Sequence, residues 1–215
     1  MTPQGCWALI PVKTRSAGKG RLAGVLAPAP RQRMARLMLE DVARALGDAE
    51  SIAGIAVVSA EAVELGERVL HLDDPGAGLN AAVDAGAAAL ASRGATELVV
   101  LHGDLPLLTA ADVDALVAAG RETGLALAPD RDNQGTNAIH LALPSAFRFH
   151  FGAMSFARHQ AEATLIGKTP AIVKRAGLGF DVDEPRDLQR LIAEGGSRYA
   201  FLLDALTDMT FQKTS

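Results

Sequence analysis

The chain has 215 residues, 49% hydrophobic and 21% charged, a balance that suits a globular domain able to bury a substantial core. Its net charge of −4 excludes the broad basic face that nucleic-acid binding needs, but still allows a small basic pocket for one nucleotide. Cys6 is the single cysteine, so no intrachain disulfide can form, and no apolar run approaches the ~18 residues of a membrane span.

The first residues lack the basic region and long apolar run of a secretory signal, so a cytoplasmic protein without membrane contact is expected. Residues 6–12 form the first apolar run and predict a strand, with Cys6 buried in it as a small hydrophobe. A loop of small residues follows, carrying Lys13, Arg15, Lys19 and Arg21. Met34, Leu37, Met38, Val42 and Leu46 fall at helical spacing and predict a helix over 31–46. Residues 52–59 read as a buried strand, followed by a short helical segment and a brief strand over 68–72. The turn-rich loop at 73–78 leads into an alanine-rich helix over 79–92.

Residues 96–101 predict a strand buried on both faces, as in a parallel sheet. The run breaks at Gly103, presents Asp104 and stops at Pro106, after which Thr109 caps a helix over 110–121. Strands at 125–129 and 136–143 flank the polar loop 130–135. Residues 147–152 are aromatic and irregular, and Ser155 is placed to cap a helix running to 166. Short strands are expected at 171–174 and 180–183. A helix then starts with Asp183 as N-cap and Pro185 in its first turn. A last helix over 197–206 is expected, with fraying after 208.

Strands alternate with helices to about residue 130, which predicts a mostly parallel sheet. Closer strand spacing between 130 and 180 predicts an antiparallel insertion or edge. One mixed α/β domain over residues 1–215 is expected, with its core at about 6–195 and a C-terminal helix and tail at 196–215.

Ligands of open α/β sheets bind beyond the carboxyl ends of the strands, where Asp104 and the cation-bearing loop both fall. Asp104 reads either as a turn cap or as a Mg²⁺ ligand beside substrate phosphates. The four cations read either as solvated surface or as a polyphosphate site; neither GxxxxGK[ST] nor GxGxxG is present. Asn80, behind a glycine-rich loop, can offer an amide to a base edge or sit in a plain turn. Gly152 and Ser155, at a helix N-terminus with Arg158 one turn inside, suit an anion cradle, although Ser155 equally serves as a cap. Asp181 and Asp183 share a face by alternation; with Asp183 on the helix cap, Asp181 is the partner for Asp104 on a metal. His159 is a weak general-acid candidate, no histidine set has zinc spacing, and no GxSxG elbow occurs.

Taken in order, these motifs resemble the guanylyltransferases of coenzyme F420 biosynthesis, the 2-phospholactate guanylyltransferase family. The resemblance covers roughly residues 7–190. It is carried by Pro11-Val12-Lys13, Gly18-Lys19-Gly20-Arg21-Leu22, Asp74-Pro75-Gly76-Ala77-Gly78-Leu79-Asn80 and Gly103-Asp104-Leu105-Pro106-Leu107. It continues through Asp130-Arg131, Gly135-Thr136-Asn137, Phe151-Gly152, Ser155-Phe156-Ala157-Arg158-His159 and Asp181-Val182-Asp183-Glu184-Pro185. It implies a three-layer, Rossmann-like nucleotide-diphospho-sugar-transferase fold. It also implies transfer of GMP from GTP to the phosphate of 2-phospholactate, phosphoenolpyruvate or 3-phosphoglycerate, with release of pyrophosphate.

By that resemblance Asp104 and Asp181 hold Mg²⁺, and Lys13, Lys19, Arg21 and Asn80 hold the nucleotide. Thr136, Gly152 and Ser155 bind the acceptor phosphate. Lys13 and Asp104 are the catalytic pair. Two partners stay open: a second copy of the chain, which no long exposed apolar helix demands, and a downstream enzyme of the pathway that takes over the product. Transfer of another nucleotide to a sugar or molybdopterin on the same fold is the alternative enzyme. A non-catalytic nucleotide-binding protein is the alternative class, and it has no physical need for two metal carboxylates.

Overall fold

The computed structural model describes residues 5–12, 20–66 and 68–213, the side chains beyond 207 excepted. Seven strands form one sheet: β1 (Cys6–Pro11), β2 (Ile52–Ser59), β3 (Val69–Asp73), β4 (Glu97–Leu101), β5 (Leu125–Pro129), β6 (Thr136–Ala142) and β7 (Ala171–Ile172). Their order across the sheet is β3-β2-β1-β4-β6-β5-β7. All neighbouring pairs are parallel except those of β6, which runs antiparallel to both β4 and β5. The expected antiparallel insertion is therefore inside the sheet, not at its edge.

Six helices accompany the sheet: α1 (Pro28–Asp48), α2 (Leu79–Ser92), α3 (Ala110–Thr123), α4 (Ser155–Leu165), α5 (Pro185–Glu194) and α6 (Phe201–Lys213). Alternation of side chains along each strand divides the core between two faces. On one face Ala8, Ile10, Val99 and Leu101 pack with Leu39, Val42 and Leu46 of α1 and Val113, Leu116 and Val117 of α3. On the other, Leu9, Leu98, Val100 and Ile139 meet Val83 and Leu90 of α2, Ala163 of α4 and three phenylalanines, Phe147, Phe149 and Phe151. These three layers are the α/β architecture the sequence predicts.

A third cluster joins Leu22, Leu26, Met34 and Met38 to Phe180, Val182, Leu188, Leu191, Tyr199 and Leu202. The segment after 195 thus packs against the body of the domain through α6, with Tyr199 fully buried. Helix α6 continues past the point where fraying is expected, to Lys213.

Four local expectations are corrected. Residues 60–66 are not helical: Val63 and Leu65 pack toward the core at a spacing of two, which an extended chain provides and a helix does not. Residues 180–183 form no strand: among the described residues the Val182 N–H to the Asp104 carbonyl (3.3 Å) is the one rung there, although Phe180 and Val182 still face the core. Helix α5 is capped by Glu184, not Asp183. The N-terminal main-chain N–H groups of Asp183 and Glu184 both donate to Asp187, at 2.9 and 2.8 Å, closing a capping box one turn in. Helix α4 is capped by Met154 in left-handed conformation (φ 54°), which makes Ser155 its first helical residue and releases the serine hydroxyl from capping.

Thr109 caps α3 as expected, with Asp112 completing the box. Between sheet and helix, α3 comes so close to His140 that only glycine fits at position 120, where a Cβ would overlap the imidazole.

Candidate functional site

Because β6 is reversed, its first residues lie at the same sheet edge as the last residues of the parallel strands. Leu101 pairs with Ala138, and the His102 N–H donates to the Asn137 carbonyl at 3.1 Å. Asp104, just past β4, is thereby set beside Thr136 and Asn137 at the carboxyl edge. The Val182 rung brings the 180–183 segment to the same place. Asp181 accepts a hydrogen bond from the Asn137 amide at 3.4 Å, and that amide also donates to the Leu178 carbonyl at 2.9 Å.

Burial first, and the charge of Asp104 next, push the Asp181 carboxyl up from its ordinary range. Two partly buried carboxylates, both hard oxygen donors, fit a small dication between them. Asn137 holds Asp181 in place; the Gly135-Thr136-Asn137 motif offers its amide from the sequence but does not name this partner.

The other half of the site surrounds the start of α4. Thr136 and Ser155 are buried, and the Thr136 N–H donates to Ser155 Oγ at 2.8 Å. Thr136 Oγ1 lies 2.9 Å from His159 Nδ1. Ser155 Oγ gives its proton to no described residue, and the direction of the Thr136–His159 bond is set by the tautomer of the imidazole. Gly152 adopts φ +124°, a region that disfavours side chains, and its N–H meets no acceptor among the described residues. Two buried hydroxyls, a glycine N–H and a helix N-terminus together form a donor-rich cradle suited to an oxyanion.

His159 is fully buried among Phe147, Phe151 and His150. Burial, with smaller contributions from His150 and His102, lowers its pKa to about 3. A group that stays neutral and out of solvent does not serve as a general acid.

Asn80 is at the site but differently employed from expectation. Its amide is paired with the main chain of Phe151, joining the loop before α2 to the cradle. Gly76 and Gly78, both at positive φ, make the turn that leads to it. Lys13 and Lys19 lie outside the described residues. Arg21 stands in a single 3-10 turn, Gly20–Leu22, with its side chain exposed and 3.9 Å from Glu184, a loose contact at high dielectric. It lines a small polar cleft of about 90 Å³ together with Asp130, Arg131 and Asp181.

The Asp130-Arg131 pair serves the loop itself. Asp130 accepts the N–H groups of Gln134 and Gly135 at 2.9 and 2.7 Å, and Arg131 bonds the buried Asp187 at 2.5 Å. At the opposite edge of the sheet, Cys6, Glu97 and His140 come together, but both oxygens of Glu97 are engaged by Arg121. Burial raises the Cys6 thiol to about 12, so that group is inert packing.

Residues 6–215 match the family described as guanylyl transferase CofC like. The chain is 43% identical over 188 residues to a phosphoenolpyruvate guanylyltransferase of Sphaerobacter thermophilus, covering 86% of this chain and 91% of that one. It is 36% identical to a 2-phospho-L-lactate guanylyltransferase of Halorubrum lacusprofundi (92% and 91% covered). It is 35% identical to a 3-phospho-D-glycerate guanylyltransferase of Phenylobacterium zucineum (93% and 95% covered). Among solved structures, one from Desulfovibrio desulfuricans G20, provisionally described as a nucleotide-diphospho-sugar transferase, superposes with a TM-score of 0.76. It shares 16% identity over 99% of this chain and 98% of that one, a likeness of fold. With a carboxylate pair and a donor-rich cradle meeting at the carboxyl edge of such a sheet, the chain belongs to the CofC-like guanylyltransferase family.

Proposed function

We propose that this chain transfers GMP from GTP to the phosphate of a three-carbon phospho-acid, releasing pyrophosphate, as a step of coenzyme F420 biosynthesis in the cytoplasm. The observation that carries the reading is the cradle: Thr136 and Ser155 are buried side by side, and Ser155 accepts the Thr136 N–H and keeps its own proton unspent. A phosphate dianion accepts and does not donate, so it is the ligand such a site satisfies.

Asp104 and Asp181 are the residues that would hold Mg²⁺. Bound there, the ion supplies charge neutralisation and orientation of the triphosphate during an in-line displacement. The protein's own part is positional. Thr136, Gly152 and Ser155 fix the acceptor phosphate, whose oxygen needs no general base because it is already ionised near neutral pH. That oxygen bonds to the α-phosphorus of GTP as the bond to the β-phosphate oxygen breaks, and pyrophosphate leaves with the electron pair. Lys13, Lys19 and Arg21 screen two anions brought together, and Lys13 with Asp104 is the catalytic pair of this reading. Asn80 supports the nucleotide side by fixing the loop that ends at α2.

The three candidate acceptors differ by a methyl, a methylene or a hydroxyl and by the carbon that bears the phosphate. Phosphoenolpyruvate is the one to try first, because the relative at 43% identity is named for it. The test is incubation with GTP, Mg²⁺ and each acceptor in turn, following pyrophosphate and the mass of the product. Guanylylated product with one acceptor is expected; absence of GTP binding by calorimetry would end the assignment.

A further inference from the structure

We infer that His159 is a positioning residue whose hydrogen-bond polarity forces Thr136 to present its hydroxyl proton to the acceptor phosphate. The inference rests on the reading of Thr136 and Ser155 as the phosphate cradle and extends it by one link. It begins at His150, whose main-chain N–H approaches His159 Nε2 at 2.8 Å. A main-chain N–H can only donate, so Nε2 carries no proton. In a neutral imidazole the one proton is then on Nδ1. Nδ1 faces Thr136 Oγ1 at 2.9 Å, so the histidine donates and the threonine accepts. The lone pair facing His159 being taken, Thr136 turns its own O–H elsewhere, and no described residue receives it.

The Thr136 N–H imposes the same condition on Ser155, by donating to Oγ at 2.8 Å. Two hydroxyls that are ambivalent in solution are thereby set as donors before any ligand arrives. This is preorganisation of the kind that lowers the cost of binding an anion. The surroundings hold the imidazole in that state. Phe147 and Phe151 lie 5.7 and 5.0 Å from its ring, and a second proton would oppose the His150 N–H directly.

The groups facing His159 from neighbouring elements are His102 and His150, and Glu162 on α4 bonds the His150 ring at 3.0 Å, not His159. His150 thus has two separate roles: its main chain sets the tautomer, and its side chain engages Glu162.

The test has two arms. In the wild-type protein, a long-range proton–nitrogen NMR spectrum should show His159 as a single Nδ1-protonated tautomer that does not titrate between pH 5 and 8. A proton on Nε2, or titration in that range, overturns the inference without involving any variant. In the second arm, His159→Gln retains an acceptor for the His150 N–H and loses the donor to Thr136. It should raise the acceptor KM by about tenfold, with a far smaller change in the KM for GTP. Combined with Thr136→Val it should add little further.

His159→Asn, whose amide can donate near the Nδ1 position, should recover part of the loss. Equal losses for both substrates, or full additivity with Thr136→Val, would mean a merely structural histidine. Were Thr136→Val and Ser155→Ala both to leave the acceptor KM unchanged, the cradle reading itself would fail. Were they to raise it while His159→Gln did not, only the histidine link would fail.

Discussion

Asn80 pairs with the main chain of Phe151 as one peptide group pairs with another: its Nδ2 donates to the Phe151 carbonyl at 3.1 Å, and its Oδ1 accepts the Phe151 N–H at 2.7 Å. The residue after Phe151 is the glycine of the cradle, so a side chain on the proposed nucleotide half fixes the backbone of the proposed acceptor half.

Replacing Asn80 by Ala removes both bonds and should raise the acceptor KM by about tenfold, with a stability loss of about 2 kcal/mol. Asn80→Asp keeps the acceptor, loses the donor and should fall between. Steady-state kinetics with each substrate varied in turn check this. A change in the KM for GTP alone would instead assign the amide to the base.

Asp104→Asn and Asp181→Asn should each cut turnover by about a thousandfold at saturating Mg²⁺. Stability should move the other way. The raised pKa of Asp181 means that the folded state holds this proton more tightly than the unfolded chain does. Its contribution is therefore present below the ordinary carboxylate range and lost as pH rises through the raised value. Without divalent metal at neutral pH, Asp181→Asn should melt at a higher temperature than wild type, and added Mg²⁺ should narrow or reverse that gap. Calorimetry with and without Mg²⁺ decides it; unaltered turnover in Asp104→Asn would remove the metal assignment.

Two buried histidines should make stability fall on the acid side of neutrality. Burial lowers the pKa of His159 to about 3 and lowers that of His140 as well. Groups with depressed folded pKa values contribute stability that is full above their unfolded value near 6.5 and lost as pH falls. Between pH 7 and pH 5 a histidine that remains neutral in the fold should cost about 2 kcal/mol. Urea midpoints across that range should decline in wild type and decline less steeply in His159→Asn. Equal slopes would show that His159 is protonated in the folded protein.

Tyr199 fastens the C-terminal segment to α1. Its hydroxyl donates to Asp41 at 2.5 Å, and Asp41 also pairs with Arg44 and Arg198. Tyr199→Phe should lower unfolding free energy by about 1–3 kcal/mol with an unchanged denaturant slope. Turnover should stay at the wild-type level, because this contact is in the third core cluster, away from the cradle.

The sequence was most legible where a single period or a single turn signal governed. Residues 52–59, 79–92 and 125–129 are strand, helix and strand to the residue, because apolar runs of suitable length end there at or within two residues of Ser, Gly, Pro or charged residues. It was least legible where a side chain chooses among partners distant in the chain. Ser155 has every local attribute of a cap, yet its hydroxyl serves Thr136, 19 residues earlier. Asn80 follows a glycine turn that suits a base, and its amide goes to Phe151, 71 residues later. The cap of α5 was readable in principle: Asp187 is at the third helical position after Glu184. Glutamate is an uncommon N-cap, and Asp183 drew the assignment instead.

The reversed strand β6 has a consequence for how acceptor choice can change. The loop after β5, the start of β6 and the N-terminus of α4 fall within residues 130–159, one unbroken stretch of chain, while β1, β2 and β3 with α2 form the other half of the sheet edge. A parallel β6 would have put Thr136 at the far edge and forced the cradle to be gathered from scattered loops. As built, the residues proposed to hold the acceptor fall in a cassette of 30 consecutive residues. Exchanging it whole between relatives, with Asn80 retained to receive it, should transfer acceptor preference and leave GTP affinity where it was.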